Sequence, residues 1–443
     1  MRLTPHSYSP SVLGKIVRSG AREPSFEEAA KALDDLAELT ISSRQAGRIA
    51  HEVGQRLQAQ RDQHVEQFQA RELQPRVETR PALAVVEVDG GRLRIRQEGD
   101  GPGAHDASWR EDKIAMLATA AITASDADPE PELPACFRDR AYVERLVREI
   151  SGVSSMSPSD PADERPADAP PTATDPPDER PADAPPTAAA PPDERPADPP
   201  PTATTSPKPS RPRPELLVRT YVASTCSSDA FGPMVAAEAE RRNFRNAGRR
   251  AFVGDGAAWI WKLQRQYFPR FVPIVDFLHA LGYVFAAAKA AQPEAEGPWA
   301  RFQTWAEACW KGQVGAVIEA LQARRDGLGP LSAAEVAALA DDDRRKILIG
   351  ALGYLEGNRE RMDYPRYRRE GLPWTSSHVE STVKLFNRRV KGTEKSWGET
   401  GAEAILQLRA ASLSEDGRLE EHLKSQPCSP FRTYRAREDR QVA

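Results

Sequence analysis

Three acidic residues stand where folding could bring their carboxylates together. Asp89 ends the apolar, β-rich run Ala82–Asp89, and Asp255 directly follows the shorter run Arg250–Gly254. Glu380 belongs to a helix-like segment much later in the chain. Carboxylate oxygens are the ligands that Mg²⁺ and Mn²⁺ prefer, and two such ions ~3.5–4 Å apart can drive an in-line phosphodiester displacement. The three acids therefore suggest a site for two Mg²⁺ or Mn²⁺ ions, although an Asp-Gly pair after a strand is usually only a turn.

The helix predicted around Glu380 has one apolar face and one charged face. Its apolar residues recur at spacings of four, three and four: Val379, Val383, Phe386 and Val390. Glu380, Lys384 and Arg388 recur every four residues on another side, and Gly392 can end the helix. The simplest explanation of that spacing is a solvated ion pair worth ~0.3–0.5 kcal/mol. The two earlier acids favour a catalytic role for Glu380 instead.

Apolar runs predict short strands spread over the chain, with helical segments between them. The runs are Ala82–Asp89, Arg92–Arg96, Ile114–Ile122, Leu216–Ala223, Arg250–Gly254 and Phe271–Val275. Gly90-Gly91 is expected to form the turn of a hairpin between the first two. Helices are predicted at Asp139–Ile150, Phe231–Arg242, Ala402–Leu413 and through residues 278–356. This succession of elements predicts an α/β protein.

The region before the first strand, residues 1–76, is expected to be helical and to bind DNA. Residues 1–24 look irregular, and Ser25 caps a helix from Phe26 to about Leu36. Ser42 or Ser43 caps a second helix from Arg44 to about Ala59. Two amphipathic helices joined by a tight turn resemble a helix-turn-helix, in which Arg44 would contact DNA. An ordinary helical hairpin explains the same pattern equally well.

Residues 151–213 have a different composition. A 15-residue unit that begins at Asp163 recurs almost intact from Asp178 and again from Asp193. The unit contains no Leu, Ile, Val or aromatic residue, so it cannot offset its ordering entropy by burial. We therefore expect a disordered, Pro-rich linker rather than a folded repeat array.

The charge of the chain is unevenly distributed. Residues 208–443 carry 37 Lys and Arg against 29 Asp and Glu, whereas residues 151–207 carry 3 against 11. A separable acidic segment thus hides a basic C-terminal half. The four cysteines are scattered, and no signal-peptide core or ~18-residue apolar run occurs, so we expect a cytoplasmic, nucleoid-associated protein with no membrane partner.

Basic residues gather on both sides of the helix predicted around Glu380. Arginines alternate with Tyr364 and Tyr367 in the segment 358–369, a composition that favours contacts to phosphates and bases over a merely solvated loop. The candidates for DNA binding are Arg44, Arg366, Arg368, Arg369, Lys384, Arg388, Arg389, Lys391, Lys395 and Trp397.

Several short motifs point to a known family. They are Val88-Asp-Gly-Gly-Arg92, Phe252-Val-Gly-Asp-Gly-Ala257, Asp276-Phe-Leu-His279, Arg361-Met-Asp-Tyr-Pro365, Ser377-His-Val-Glu-Ser381 and Arg389-Val-Lys-Gly-Thr-Glu-Lys-Ser-Trp397. Together they resemble the ISKra-type Asp-Asp-Glu transposases of bacterial insertion sequences, which have an RNase H-like catalytic core. The resemblance covers roughly residues 25–150 and 214–412.

The resemblance implies that Asp89, Asp255 and Glu380 bind the catalytic metals and that Asp276 and His279 form an accessory motif. It also implies an RNase H-like mixed sheet. The core would comprise residues 82–150, 214–277 and 372–413, with a helical insertion at 278–371 and a basic tail at 414–443. The implied partner is double-stranded DNA, both the element ends and the target, bound by a homodimer or higher oligomer.

Two departures and two alternatives remain. Relatives often carry a Cys-rich, zinc-binding segment before the Phe26 helix, which this chain lacks, and the repeat segment looks like an insertion peculiar to it. One alternative function is a non-catalytic DNA-binding protein derived from a transposase. The other is a metal-independent hydrolase that uses Asp89 and Asp255 as an acid/base pair.

Overall fold

A mixed sheet of five strands, in the order β3-β2-β1-β4-β5, forms the centre of the protein. The computed structural model describes residues 8–96, 108–154, 214–291, 297–329, 331–392 and 395–425. The strands are β1 (Leu83–Ile95), β2 (Ser108–Ala121), β3 (Glu215–Ser224), β4 (Arg249–Gly254) and β5 (Val272–Val275). β1, β2 and β3 are antiparallel neighbours, whereas β4 runs parallel to both β1 and β5. The predicted α/β class is therefore confirmed.

The first strand is longer than its sequence suggests. Gly90 and Gly91 were expected to form a turn, but β1 runs straight through them and pairs with β2 along its whole length. The two runs Ala82–Asp89 and Arg92–Arg96 thus belong to one strand, and the hairpin prediction is wrong. Gly91 is opposite Asp112, whose side chain occupies the space that a Cβ would need. The glycine therefore serves a close approach rather than a bend.

Helices cover both faces of the sheet. They are α1 (Pro10–Arg22), α2 (Phe26–Ala37), α3 (Ser43–Gln69), α4 (Arg140–Ser154), α5 (Ser228–Arg241), α6 (Ala258–Tyr267), α7 (Phe277–Ala290), α8 (Pro298–Trp310), α9 (Val314–Asp326), α10 (Ala333–Ala338), α11 (Arg344–Asn358), α12 (Tyr364–Arg369), α13 (Ser377–Val390), α14 (Glu399–Leu413) and α15 (Arg418–Ser425). Phe386 of α13 packs on Tyr221 of β3, on the face that carries Glu87 and Asp89. Phe252 of β4 packs on Trp261 of α6.

The N-terminal helices are confirmed, with one difference in residues 1–24. Ser25 and Ser42 cap α2 and α3 as predicted, each accepting a hydrogen bond from a backbone amide. Residues 1–24 are not irregular throughout, because α1 buries Leu13, Ile16 and Val17. α3 continues to Gln69. Its packing face lies against α14 so closely that a Cβ at Gly54 would be 2.1 Å from the Ala404 carbonyl oxygen.

The remaining predictions have mixed outcomes. The segment 278–371 consists mainly of helices where it is described, and the tail begins with a folded helix, α15, that buries Leu419 and Leu423. The repeat units and residues 155–213 lie outside the described residues. Cys136, Cys226 and Cys309 are free thiols. None of the described helices combines the length and apolar character needed to cross a membrane.

Candidate functional site

The strand register brings three aspartates to one edge of the sheet. Val88 of β1 is opposite Gly254 of β4, and Gly254 is opposite Val275 of β5. The next residue on each strand is Asp89, Asp255 and Asp276. Because neighbouring strands lie ~4.8 Å apart, the three acids form a row at the carboxyl ends of β4 and β5 and beside them on β1. The sequence predicted this gathering for Asp89 and Asp255, and it placed Asp276 close by.

Asp89 is buried, and only one of its two carboxylate oxygens has a hydrogen-bond partner among the described residues. Its side chain is 6% exposed, and its Oδ1 accepts a hydrogen bond of 2.7 Å from the amide of Gly90. Its Oδ2 has no hydrogen-bond partner among the described residues. Burial, together with the charge of Asp255, raises the pKa of Asp89 to about 7, although His279 acts in the opposite direction. A positive charge placed beside Asp89 would favour its ionised form.

Asp255 lies at a sharp exit from β4. It is half-buried, and its Oδ1 accepts a hydrogen bond of 2.8 Å from the amide of Ala257. Tyr354 of the helical insertion donates to the Asp255 carbonyl oxygen at 2.7 Å. Gly256 has φ of +110°, and a Cβ there would be 2.5 Å from the Tyr354 ring. The turn after β4 therefore requires glycine. The hydrogen bond from Tyr354 fixes the backbone position of Asp255.

Asp276 and His279 form a buried ion pair beside the other two acids. Asp276 caps α7 by accepting from the amide of Leu278, and its Oδ2 is 3.1 Å from Nδ1 of His279. Burial would lower the pKa of His279, but the hydrogen bond with Asp276 and the charges of Asp276, Asp255 and Asp89 raise it to about 10. His279 is therefore an imidazolium that balances negative charge at this edge of the sheet.

The helix that carries Glu380 is tied to the same edge. Glu87 of β1, which is fully buried, accepts a hydrogen bond of 3.0 Å from the amide of Val379 in the first turn of α13. Ser376, directly before α13, donates to Asp276 Oδ2. Glu380 follows Val379, so its backbone lies beside β1, while its side chain is outside the described part of the chain.

Glu87 was not identified from the sequence. The sequence signal for it was a carboxylate in the middle of the apolar run Val85–Val88. Burying a charge at such a position is costly unless the charge has a partner. The partner is the start of α13, since a helix N-terminus favours a carboxylate.

Asp89 and Asp255 fit a divalent metal. Both are carboxylates, one of them carries a buried oxygen with no hydrogen-bond partner among the described groups, and the nearby imidazolium leaves a net negative charge. Among the described side chains, no group of three or more His, Cys, Asp and Glu is arranged to hold a metal ion. The third predicted ligand, Glu380, is not among those side chains.

Two basic residues predicted to bind DNA are buried. Arg368 is 2% exposed and pairs with Asp128. Arg389 is 1% exposed, donates to the Gly20 carbonyl oxygen at 2.9 Å and lies 4.4 Å from the centre of the Phe26 ring. Both guanidinium groups join separate parts of the protein interior. We therefore leave them out of the surface proposed to contact DNA.

The other basic candidates lie at or near the surface. Arg44, Arg366, Lys384 and Arg388 are exposed, and Arg369, Lys391, Lys395 and Trp397 are half-buried. Lys384 pairs with Glu149 at 3.3 Å and Arg366 with Glu370 at 2.8 Å. Exposed pairs of this kind contribute little, so these side chains can exchange partners with a phosphate. Trp397 donates from its indole to the Val390 carbonyl oxygen.

A cavity of about 330 Å³ lies away from the acidic row, between α3, β3, α5, α14 and α15. Its arginines are paired with carboxylates: Arg61 with Glu403, Arg76 with Glu421, and Arg241 and Arg418 with Glu238. Since these charges are already neutralised within the protein, we do not assign the chemistry to this cavity.

Comparison with known proteins adds no family to this geometry. No protein-family model matches the chain, and no curated protein is significantly similar to it.

Proposed function

We propose that this chain is a transposase of the ISKra type, which binds the ends of an insertion sequence and cleaves and joins DNA strands with the help of Mg²⁺ or Mn²⁺. The observation that carries the proposal is the position of Asp89 beside Asp255 on adjacent parallel strands, with α13 held to the same edge by Glu87 and Asp276. That arrangement brings parts of the chain that are 292 residues apart, Glu87 and Val379, into contact.

An RNase H-like core is the finer form of the fold that we propose. The support for it is the strand order β3-β2-β1-β4-β5, with three antiparallel strands followed by two that run parallel to β1. The helices of residues 278–371 would be an insertion into this core. Three tyrosines of that insertion, at positions 354, 364 and 367, donate to carbonyl oxygens of β5 or of the residue that follows β4. The insertion would thus support the site.

The roles of the residues follow from their positions. Asp89, Asp255 and Glu380 would hold the metal ions, which supply an activated nucleophile and a stabilised leaving oxygen when they are bound. Asp276 keeps His279 protonated, and this imidazolium reduces the repulsion between Asp89 and Asp255 while no metal is bound. Glu87 and Ser376 hold the first turn of α13, so that Glu380 approaches from the side of β1.

Double-stranded DNA would lie across the exposed basic residues near α13. Each phosphate contact contributes a counterion-release slope of about 0.9 to the dependence of log affinity on log salt. Arg388→Ala should therefore weaken binding to every duplex and reduce that slope by about one. An unchanged slope would identify Arg388 as a merely solvated charge. A homodimer or higher oligomer on DNA is part of the proposal, because two element ends must be joined.

The proposal is tested by a nicking assay with the full chain. The substrate is a duplex that carries the sequences flanking the gene, and the expected product in Mg²⁺ is a nick at the element end. EDTA should abolish the nick, and Asp255→Asn should abolish it while leaving duplex binding intact.

The outcomes separate the transposase from its two alternatives. Binding without nicking by the wild-type chain would favour the non-catalytic, transposase-derived DNA-binding protein. Cleavage that persists in EDTA would favour the metal-independent hydrolase. Absence of both binding and nicking would overturn the proposal.

A further inference from the structure

Tyr283 of α7 presents an exposed aromatic ring close to the row of acids. Its side chain is 40% exposed, and it lies one helical turn after His279. Residues four apart on a helix lie on the same face. His279 is paired with Asp276 at the carboxyl end of β5. The face of α7 that carries Tyr283 therefore borders the acids.

One face of the Tyr283 ring lies against Tyr354 of α11. The two ring centres are 3.8 Å apart, and the ring planes differ by 14°. Tyr354 in turn donates to the Asp255 carbonyl oxygen at 2.7 Å, and a Cβ at Gly256 would be 2.5 Å from its ring. Tyr283 is thus the outer ring of a two-ring stack, and the inner ring contacts the turn that carries Asp255.

The outer face of the Tyr283 ring is accessible. Because one face is covered by Tyr354, the exposed area belongs to the other face and to the ring edge. Two glycines border the stack, Gly282 on α7 and Gly353 on α11. A Cβ at either would have no atom of the described residues within 4 Å, so neither position carries a side chain that shields the ring.

An aromatic ring held in this way suits a nucleobase. Bases stack on exposed aromatic side chains in proteins that bind single-stranded DNA, whatever the base sequence, because every base has a π-face. The ring of Tyr283 is already oriented by Tyr354, so little freedom is lost when a base stacks on it. A base inside an intact duplex has both faces covered by its neighbours, and only an unpaired base can use this ring.

We propose that Tyr283 stacks on an unpaired base of the DNA, next to the phosphate that is cleaved at Asp89 and Asp255. The proposal rests on the DNA cleavage proposed above and adds to it the form of the substrate, which is a duplex opened locally at the cleavage point. Tyr283 is not among the residues that the sequence predicted to contact DNA.

Stacking differs from a phosphate contact in its dependence on salt. Tyr283→Ala should weaken DNA binding at least about fivefold, as the loss of one base stack does. The slope of log affinity against log salt should not change, because no charge is removed. Tyr283→Phe keeps the ring and should bind like wild type. Arg388→Ala, in contrast, should reduce the slope.

The experiment combines the protein variants with altered DNA, using the full chain and the duplex of the nicking assay. An abasic nucleotide is placed in turn at each position near the mapped nick, and affinities are measured by fluorescence anisotropy. Wild type should bind most of these duplexes at least about fivefold more tightly than Tyr283→Ala does. On the duplex that lacks the stacked base, the two proteins should bind equally, because the contact is already missing.

Two further variants separate stacking from packing. Tyr283→Leu keeps an apolar side chain against Tyr354 but has no aromatic face, so it should lose affinity like Tyr283→Ala while its melting temperature stays near that of wild type. The matched control is Leu217→Ala. Leu217 is 57% exposed on β3, the edge strand at the opposite end of the sheet from β5, and its loss should not affect binding to any of the duplexes.

The outcomes distinguish this inference from the proposed function. Equal affinities of wild type and Tyr283→Ala for the intact duplex would overturn the inference, as would weak binding by Tyr283→Phe. An advantage of wild type that persists on every abasic duplex would also overturn it, since it would show a structural effect of the ring. In each of these cases the wild-type chain still binds and nicks DNA. A wild-type chain that does neither would instead overturn the proposed function, and this inference with it.

Discussion

Two buried carboxylates in this chain have equal exposure and opposite surroundings. Glu403 of α14 is 6% exposed, and it pairs with Arg61 and accepts hydrogen bonds from Ser224 and Thr225. Asp89 is also 6% exposed, but it accepts one hydrogen bond, from its neighbour Gly90, and its Oδ2 has no partner among the described groups. Equal burial therefore does not mean that two carboxylates are equally compensated by the fold.

Two further buried acids, Glu238 and Asp112, show the same contrast in the directions of their pKa shifts. Burial would raise the pKa of Glu238, but Arg418 and Arg241 lower it below the ordinary value. Burial raises the pKa of Asp112 to about 6, and Lys391 only partly opposes this. The acids around the cavity are neutralised by the fold itself. Asp89 and Asp112 lack such a partner arginine among the described residues, and burial raises the pKa of each.

The largest expected effect is on catalysis. Asp89→Asn should reduce Mg²⁺-dependent nicking by at least about a thousandfold, as loss of an essential catalytic group does, with duplex binding preserved. Glu380→Gln should do the same. Folding should be unaffected or slightly stabilised, because one of several clustered like charges is removed. Nicking and urea unfolding are measured on the same preparations, and a Glu380→Gln variant that nicks normally would remove Glu380 from the site.

The contrasting substitution removes an arginine that neutralises a buried acid beside the cavity. Arg418→Ala leaves Glu238 buried with Arg241 as its remaining ion-pair partner, so the free energy of unfolding should fall by about 3 kcal/mol, the lower end of the range for breaking a buried ion pair. Urea unfolding checks this. The control is Arg245→Ala, which breaks a pair between the exposed Arg245 and the half-buried Glu240 and should cost less than about 1 kcal/mol. Equal losses of unfolding free energy in Arg418→Ala and Arg245→Ala would contradict the expected difference between these two ion pairs.

Glu238 also predicts a dependence of stability on pH. Its pKa is lower in the folded chain than the ordinary value of 4.5, so the folded state binds protons less readily than the unfolded state. The stabilisation is therefore present above about pH 4.5 and is lost as the pH falls through the folded pKa. Wild type should lose more unfolding free energy than Glu238→Gln between pH 6 and pH 3.5. Parallel losses in the two proteins would contradict the assignment.

The smallest effect is expected for the Pro-rich segment. Replacing residues 158–207 with a short Gly/Ser loop should leave the melting temperature and the nicking rate nearly unchanged, because the entropy of closing a loop grows only with the logarithm of its length. The segment lies between α4 and β3 and contributes no apolar side chain able to build a core. Loss of folding or of nicking would make it a working part of the protein.

Local patterns in the sequence were sufficient for much of the secondary structure. Apolar runs predicted all five strands, and Ser25 and the pair Ser42-Ser43 predicted two helix starts, since strand and cap preferences depend on neighbouring residues. The acids at the ends of two of those runs, Asp89 and Asp255, were also visible. Whether an acid directly follows an apolar run can be read from neighbouring residues alone.

What the sequence could not supply was the partner of each residue. Gly90-Gly91 has the composition of a turn, but pairing with β2 extends the strand through it. Arg368 and Arg389 are of a residue type that commonly contacts DNA. In the structure they are buried, and their partners are Asp128 and the Gly20 carbonyl oxygen, which are distant in sequence. The tertiary structure decided these through the register of the sheet and the packing of α12 and α13. A charged side chain is buried or exposed according to what packs opposite it, and that is set by long-range packing rather than by its neighbours in the chain.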